Sequence, residues 1–187
     1  MADGVRVDVQ RNGRRFEATA LLDLAADVQL VWDTITDYGA LAQFMPGIRA
    51  CRVIERQTLA NRFEHLVVEQ QGEFRFLRFV QIMTVLLNIE HQPLRVAEAK
   101  AVRVELGMFK RRAIDVFEGR YELTPLAARG SHPRTQLRYS SLIQLRLTPP
   151  PAIGSMAVRQ NLAAQLDAVA LEVGRRSRQK PASTDRR

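Results

Sequence analysis

The sequence is most informative at first for what it lacks. It has a single cysteine, Cys51, which excludes an internal disulfide framework and suits a reducing compartment, most simply the cytoplasm. Cys51 sits beside strand-like Val53 and Ile54 with no histidine near it in sequence, so it reads as core filler rather than a nucleophile. No apolar run approaches the roughly eighteen residues needed to span a bilayer. Residues 82–87 form the nearest candidate, which is short and interrupted by Thr84. The first residues, MADGVRVDVQRNGRR, carry no apolar core of a secretory signal. GxGxxG, GxxxxGK and GxSxG are all absent, which leaves nucleotide cofactors and triad hydrolysis without support. The three histidines, His65, His91 and His132, are far apart and fall in no HxH or HExxH pattern. Neither a metal nor a cofactor is therefore expected.

What is present is ordinary for a globular chain: 187 residues, 46% hydrophobic and 26% charged, enough for one domain with a sizeable core. The net charge of +8 is unevenly distributed. From Gly174 onward the chain carries +5, leaving only +3 for everything before it. A basic tail of this kind suits either RNA or an anionic lipid surface, or simply a solvated helix end, where cations are favourable. Lys110, Arg111 and Arg112 form a second basic run. It reads as a solvated hairpin end or as a site of salt-dependent, sequence-independent contact with phosphate.

The chain is organised around the stretch from Pro149 to about Val173. Val158, Leu162, Leu166, Val169 and Val173 recur at spacings of three and four, a helical stripe. Ala157, Ala163, Ala164, Ala168 and Ala170 widen it with small side chains, and Gly174 is expected to end it. Such a helix needs a sheet to lie on, and the preceding sequence supplies one. Phe16–Leu24 alternates and reads as a strand, with Val5, Val7 and Val9 as an edge extension. Asp27 is a candidate N-cap for a helix through Thr36 with Val28, Val31, Trp32 and Ile35 buried, and a short helix follows from Ala40 to Phe44. Strands are expected over Ile48–Arg56, Arg62–Gln70 and Phe74–Glu90, the last two joined by a turn at Gln71-Gly72. Two more, Arg95–Val104 and Arg112–Leu123, precede a polar loop at Pro125–Pro133. Thr135–Leu147 is the most regular strand, with Leu137, Tyr139, Ser141, Ile143, Leu145 and Leu147 on one face. Consecutive strands with short turns favour an antiparallel sheet. The class is therefore α+β: two short helices, an antiparallel meander and one long terminal helix.

Four segments of this chain resemble a known superfamily: AADVQLVWDTITDYGALAQFMPGI at 25–48, LRFVQ at 77–81, DVFEGRYELTPL at 115–126, and the run from Thr135 to Arg176. Together they look like the START/Bet v 1-like (SRPBCC) helix-grip superfamily, in its polyketide cyclase/dehydrase and coenzyme Q-binding branch. That resemblance implies a curved antiparallel sheet of about seven strands wrapped around the C-terminal helix. It places the domain at 14–176 and a basic, disordered tail at 177–187. Members bind lipids, ubiquinone or aromatic polyketides between sheet and helix, and some cyclise polyketides or hinder ribosome subunit association. Trp32, Asp37, Tyr38 and Pro46 match positions that look structural in the family. No invariant catalytic residue exists to carry over, and the segment from Lys100 to Arg112 departs from the compact family pattern.

A cavity of this kind is expected to be apolar with a few convergent polar groups. Phe117, Tyr121, Tyr139, Ser141 and Ile143 supply that combination on two strands, and Met156, Asn161 and Gln165 on the helix. Leu41, Phe44 and Met45 are the expected gate. His65 alternates with Phe63 and Val67 and is either a satisfied core histidine or a pocket acid/base; with Asp115 and Tyr139 it completes the catalytic candidates. His91, before a proline turn, and His132, in a loop, read as solvated surface. The expected function is binding of a hydrophobic small molecule. The alternatives are a cyclase/dehydrase-type enzyme and a ribosome- or RNA-associated interaction protein.

Overall fold

A computed structural model describes residues 5–59, 62–76, 79–106, 114–146 and 151–179. Eight strands and three helices follow in the order β1 (Arg6–Asn12), β2 (Arg15–Leu24), α1 (Val28–Ile35), α2 (Leu41–Phe44), β3 (Ile48–Thr58), β4 (Glu64–Phe76), β5 (Phe79–Gln92), β6 (Val96–Leu106), β7 (Ile114–Arg129), β8 (His132–Leu145) and α3 (Pro151–Gln179). The strands form one curved, unclosed antiparallel sheet in the spatial order β1-β2-β8-β7-β6-β5-β4-β3. It is the helix-grip arrangement, with one strand more than the expected seven. Of the alternating valines, Val7 and Val9 belong to that extra strand and Val5 immediately precedes it: β1 pairs with β2 from Arg6↔Leu21 to Asn12↔Arg15.

The alternation in β2 is realised as expected. Phe16, Ala18, Ala20, Leu22 and Leu24 are all buried, while Glu17 and Arg15 face solvent. The Asp27 side chain accepts a hydrogen bond from the Leu30 amide at 2.8 Å and caps α1, a contact worth about 1 kcal/mol. Val31, Trp32, Thr34 and Ile35 form the buried face of that helix. Thr34, unremarkable in sequence, is buried because its hydroxyl donates to the Leu30 carbonyl at 2.7 Å.

Three boundaries differ from expectation, each for a local reason. Gln71-Gly72 is not a turn, since β4 runs straight through it and Gly72 pairs with Met83 of β5 and Ile48 of β3. The glycine is needed for close approach: a Cβ there would stand 3.0 Å from the Gly47 carbonyl oxygen, which accepts the Glu73 amide at 2.8 Å. The apolar run expected as one strand from Phe74 is accordingly divided between β4 and β5.

The polar stretch Pro125–Pro133 is also mostly strand, with only Gly130 and Ser131 in the turn and Gly130 at φ +61°. Pairing of β6 with β7 ends at Glu122. Beyond it β7 has a ladder on one side only, where proline is tolerated and exposure on both faces explains the polarity. Finally, Gly174 does not end α3, which continues to Gln179. Glycine in a helix costs about 1 kcal/mol relative to alanine, and the ion pairs of the last turns offset it. Arg176 bonds both Glu172, at 2.7 Å, and Asp37, at 2.8 Å, and so ties α3 to the end of α1. The Arg175-Arg176 end is thus partly a tertiary latch rather than only a solubilising terminus. Leu147, Pro149, the run Lys110–Arg112 and the tail from residue 180 lie outside the described residues.

Candidate functional site

The long helix does not lie flush on the sheet. Between them is a cavity of about 510 Å³, lined on the helix side by Gly154, Ala157, Val158, Asn161, Leu162 and Gln165. The C-terminal half of α3 is packed instead: Leu166, Val169 and Val173 are buried among the core residues of β2 and α1. The division follows the side chains. Gly154 and Ala157 leave room that the leucine and valines further along fill.

On the sheet side, the inward positions of β7 and β8 meet in register, with Phe117 opposite Ile143, Gly119 opposite Ser141, and Tyr121 opposite Tyr139. All of these line the cavity. The Tyr121 and Tyr139 rings lie 4.6 Å apart. Gly119 makes the space for Tyr139, because a Cβ there would stand 3.0 Å from the phenol oxygen. Burial pushes the Tyr139 phenol up to about 12, opposed by a hydrogen bond with Ser141. Tyr121 is raised further, again by burial first and then by the neighbouring phenols of Tyr139 and Tyr38. At neutral pH these phenols are uncharged, so they act as hydrogen-bonding groups within an apolar wall.

Of the residues singled out from sequence, Leu41, Met45, Phe117, Tyr121, Tyr139, Ser141, Ile143, Asn161 and Gln165 are brought together around this space. Phe44 and Met156 are not in its wall. Phe44 is half-buried with the Arg176 guanidinium 6.0 Å from its ring centre, and Met156 is 54% exposed on α3. The catalytic candidates are dispersed. Asp115 is exposed and accepts a hydrogen bond from Arg146 at 2.8 Å. His65 is half-buried but lies between Leu66 and the hairpin end, on the face of β4 opposite Leu66 and Val68, so it does not point inward. Tyr139 alone of the three lines the cavity. Among the described residues, no cluster of histidine, cysteine and acidic side chains is placed to hold a metal ion.

His91 is the main correction. It is 2% exposed rather than solvated, whereas His132 is exposed as expected. His91 continues the inward alternation of β5 after Leu87 and Ile89, which was the available signal in sequence. Its Nε2 lies 2.7 Å from the Tyr38 hydroxyl and its Nδ1 3.2 Å from a Glu64 carboxylate oxygen. The Trp32 ring meets it edge-on at 5.1 Å and the Tyr38 ring stacks at 5.8 Å. Burial lowers the His91 pKa, against the pull of Glu64. Tyr38 itself lines the cavity, so this chain runs from the surface carboxylate to the cavity wall. From sequence, Tyr38 has a structural role only. Ile48, Gln70 and Met83 are further wall residues it did not reach.

A curved sheet gripping a long helix, with an apolar cavity under the helix's first half, defines a helix-grip protein. The comparisons make the class specific: a family model for "polyketide cyclase / dehydrase and lipid transport" matches residues 24–170, and the chain belongs to that family. Similar solved structures show the same fold. A START superfamily protein from Mycobacterium smegmatis superposes with a TM-score of 0.68 at 13% identity, over 85% of this chain and 97% of that one. The Zhui aromatase/cyclase from Streptomyces sp. R1128 gives 0.66 at 20% identity, over 90% and 99%. A conserved protein from Geobacillus kaustophilus gives 0.63 at 14%, over 85% and 95%. No curated protein matches the sequence. No helix among the described residues is long and apolar enough to cross a membrane.

Proposed function

We propose that the protein binds, and in doing so carries, a hydrophobic or amphipathic small molecule: a lipid, a quinone or an aromatic polyketide-like compound. The observation that carries this reading is the 510 Å³ space between sheet and α3, walled mainly by apolar side chains with a few hydroxyls and amides. Burial of ligand surface there is favoured by about 25 cal/mol per Å² of apolar area, and the tyrosines, Ser141, Asn161 and Gln165 orient a polar end. Of the family's known ligands, a coenzyme Q-type molecule suits this mixture, an apolar tail with an oxygenated ring. The lone half-buried Cys51 agrees with action in the cytoplasm.

The cyclase/dehydrase alternative draws on the likeness to an aromatase/cyclase fold. It requires an acid and a base facing one another across the cavity, and His65 and Asp115 stand away from it. The ribosome- or RNA-associated alternative expects a filled cavity, so the open one favours the carrier. Contact of Lys110, Arg111, Arg112 and the basic tail with RNA or an anionic membrane is a separate proposal, read by salt-dependent co-sedimentation.

Native mass spectrometry of the purified protein, followed by organic extraction, tests the main reading. A co-purifying lipid, quinone or aromatic is the expected result. No ligand in the isolated protein, and none taken up from a broad panel of lipids and aromatics, would overturn it.

A further inference from the structure

The polar chain Glu64–His91–Tyr38 does more than satisfy a buried histidine, and its consequence for the cavity rests on the binding reading above. A neutral imidazole has one donor and one acceptor nitrogen. A carboxylate can only accept, so Glu64, 3.2 Å from Nδ1, requires the ring proton there. Nε2 is then bare. The Tyr38 hydroxyl, 2.7 Å away, must donate to it, and its single proton is spent on the protein. What remains on the Tyr38 oxygen is acceptor capacity. Desolvation of His91, buried to 2% and covered by Trp32 and Tyr38, keeps the ring in this neutral form. Arg56 lies 3.7 Å from Glu64 at the far end of the chain.

We infer that Tyr38 is an acceptor-only anchor in the cavity wall, which selects ligands that bring a hydroxyl donor (a phenol, an enol or a quinol) over matched ligands whose oxygen can only accept. The selection is not visible in the apolar lining, which treats both kinds alike. It arises at Glu64, which is part-exposed on β4 and absent from the cavity wall. Glu64 therefore acts as a positioning residue, through the tautomer of His91, and Tyr38 is the contacting one.

The test uses 2-naphthol and 2-methoxynaphthalene, which share one ring system, differ by a single methyl and are opposite in whether the oxygen can donate. Each is titrated into the wild-type protein, Tyr38→Phe and Glu64→Gln, and the ratio of the two affinities is compared between proteins so that their intrinsic hydrophobicities cancel. The ratio favouring naphthol is expected to fall about threefold to tenfold in Tyr38→Phe, the size of one neutral hydrogen bond, with the ether's affinity unchanged. It is also expected to fall in Glu64→Gln, because an amide can donate to Nδ1, move the ring proton to Nε2 and free the Tyr38 proton for an acceptor ligand. Nitrogen-15 correlation spectra of His91 give a ligand-free readout, with Nδ1 protonated and Nε2 bare. A ratio that Tyr38→Phe leaves untouched, or the opposite tautomer, overturns the inference while leaving the carrier reading intact. If neither naphthalene binds the wild-type protein, this inference is overturned, while the carrier reading stands or falls separately on the co-purified and panel ligands. Should Tyr38→Phe not fold, the Glu64→Gln ratio and the His91 tautomer decide between these outcomes.

Discussion

Replacing Ala157 with leucine asks whether the room under α3 is real, because the sign of the effect depends on it. Ala157 lines the cavity, whereas Ala170, about two-thirds along the same helix, packs against the buried core. Both are half-buried, and both exchanges are between good helix formers, so propensity contributes only a few tenths of a kcal/mol. Three added carbons are worth about 0.8 kcal/mol each when fully buried. At a partly covered site this gives about 1–2 kcal/mol of stabilisation for Ala157→Leu. The same carbons forced into a packed interface at Ala170 cost about 1–3 kcal/mol. The two variants should therefore separate by at least about 2 kcal/mol in opposite directions. Urea denaturation reads this directly: with a slope of about 1–3 kcal/mol/M, the Ala157→Leu midpoint rises by on the order of 0.5 M and the Ala170→Leu midpoint falls by at least as much. Ala157→Leu should also weaken 2-methoxynaphthalene binding by occupying its space. A midpoint lowered equally by both substitutions would mean that the helix seats flush along its whole length, and the cavity argument would fail.

Gly72→Ala is expected to cost about 1–3 kcal/mol in the same assay, because the group it meets at 3.0 Å is the Gly47 backbone carbonyl. Gly119→Ala, which meets the Tyr139 phenol at the same distance, should cost less, since a side chain can give way. Arg175 and Arg176 hold the Glu172 carboxyl down at about 2, below its ordinary 4.5. A depressed carboxylate stabilises the fold above its unfolded pKa, so this contribution is lost as pH falls from about 4.5 to about 2, and Glu172→Gln should flatten the midpoint-versus-pH curve in that window. His91, faced by Tyr38, Trp32 and Glu64 with Arg56 behind, is lowered below 6.5 mainly by burial. Its neutral form belongs to the fold, so stability is full above pH 6.5 and declines as pH drops below it. His91→Asn should remove that decline.

The elements themselves were legible wherever one face was buried and the other wet. Phe16–Leu24 and Thr135–Leu145 alternate because solvent lies on one side only, and the Asp27 cap is a local chemical signal. Reading failed where residue type had two meanings. In sequence Gly72 suggests a turn because glycine permits turns, whereas here it permits the approach of Gly47. The polarity of Pro125–Pro133 came from a strand edge wet on both sides, which composition cannot tell from a loop. The cavity wall was legible on β7, β8 and α3, where the period was secure. It was missed on β4 and β5, where the misplaced turn shifted the register and hid Gln70 and Met83. The Glu64–His91–Tyr38 chain joins residues 27 and 53 positions apart, and no local pattern encodes that meeting.

The amphipathic stripe of α3 turns out to have two functions divided along its length. From Leu166 onward it is a structural seam: Leu166, Val169 and Val173 enter the core, and Arg176 reaches across to Asp37 at the end of α1. Before Leu166 the same stripe borders the cavity, with Leu162 buried at its margin and Gly154 and Ala157 where bulk would close it. A helix seated in the core along its C-terminal half, and held before that by Leu162 and by Arg159 on the Val7 carbonyl at 2.8 Å, admits a ligand without sacrificing the fold, because most of its anchoring residues lie outside the cavity wall. The Asp37–Arg176 pair also sits one residue from Tyr38, so the anchor of the helix and the polar end of the cavity share one turn of chain. Loss of that pair, as in Asp37→Asn, should therefore disturb the Tyr38 hydroxyl preference more than its modest cost as a part-exposed ion pair would suggest. An unchanged naphthol-to-ether ratio in Asp37→Asn would show that the seam and the anchor act independently.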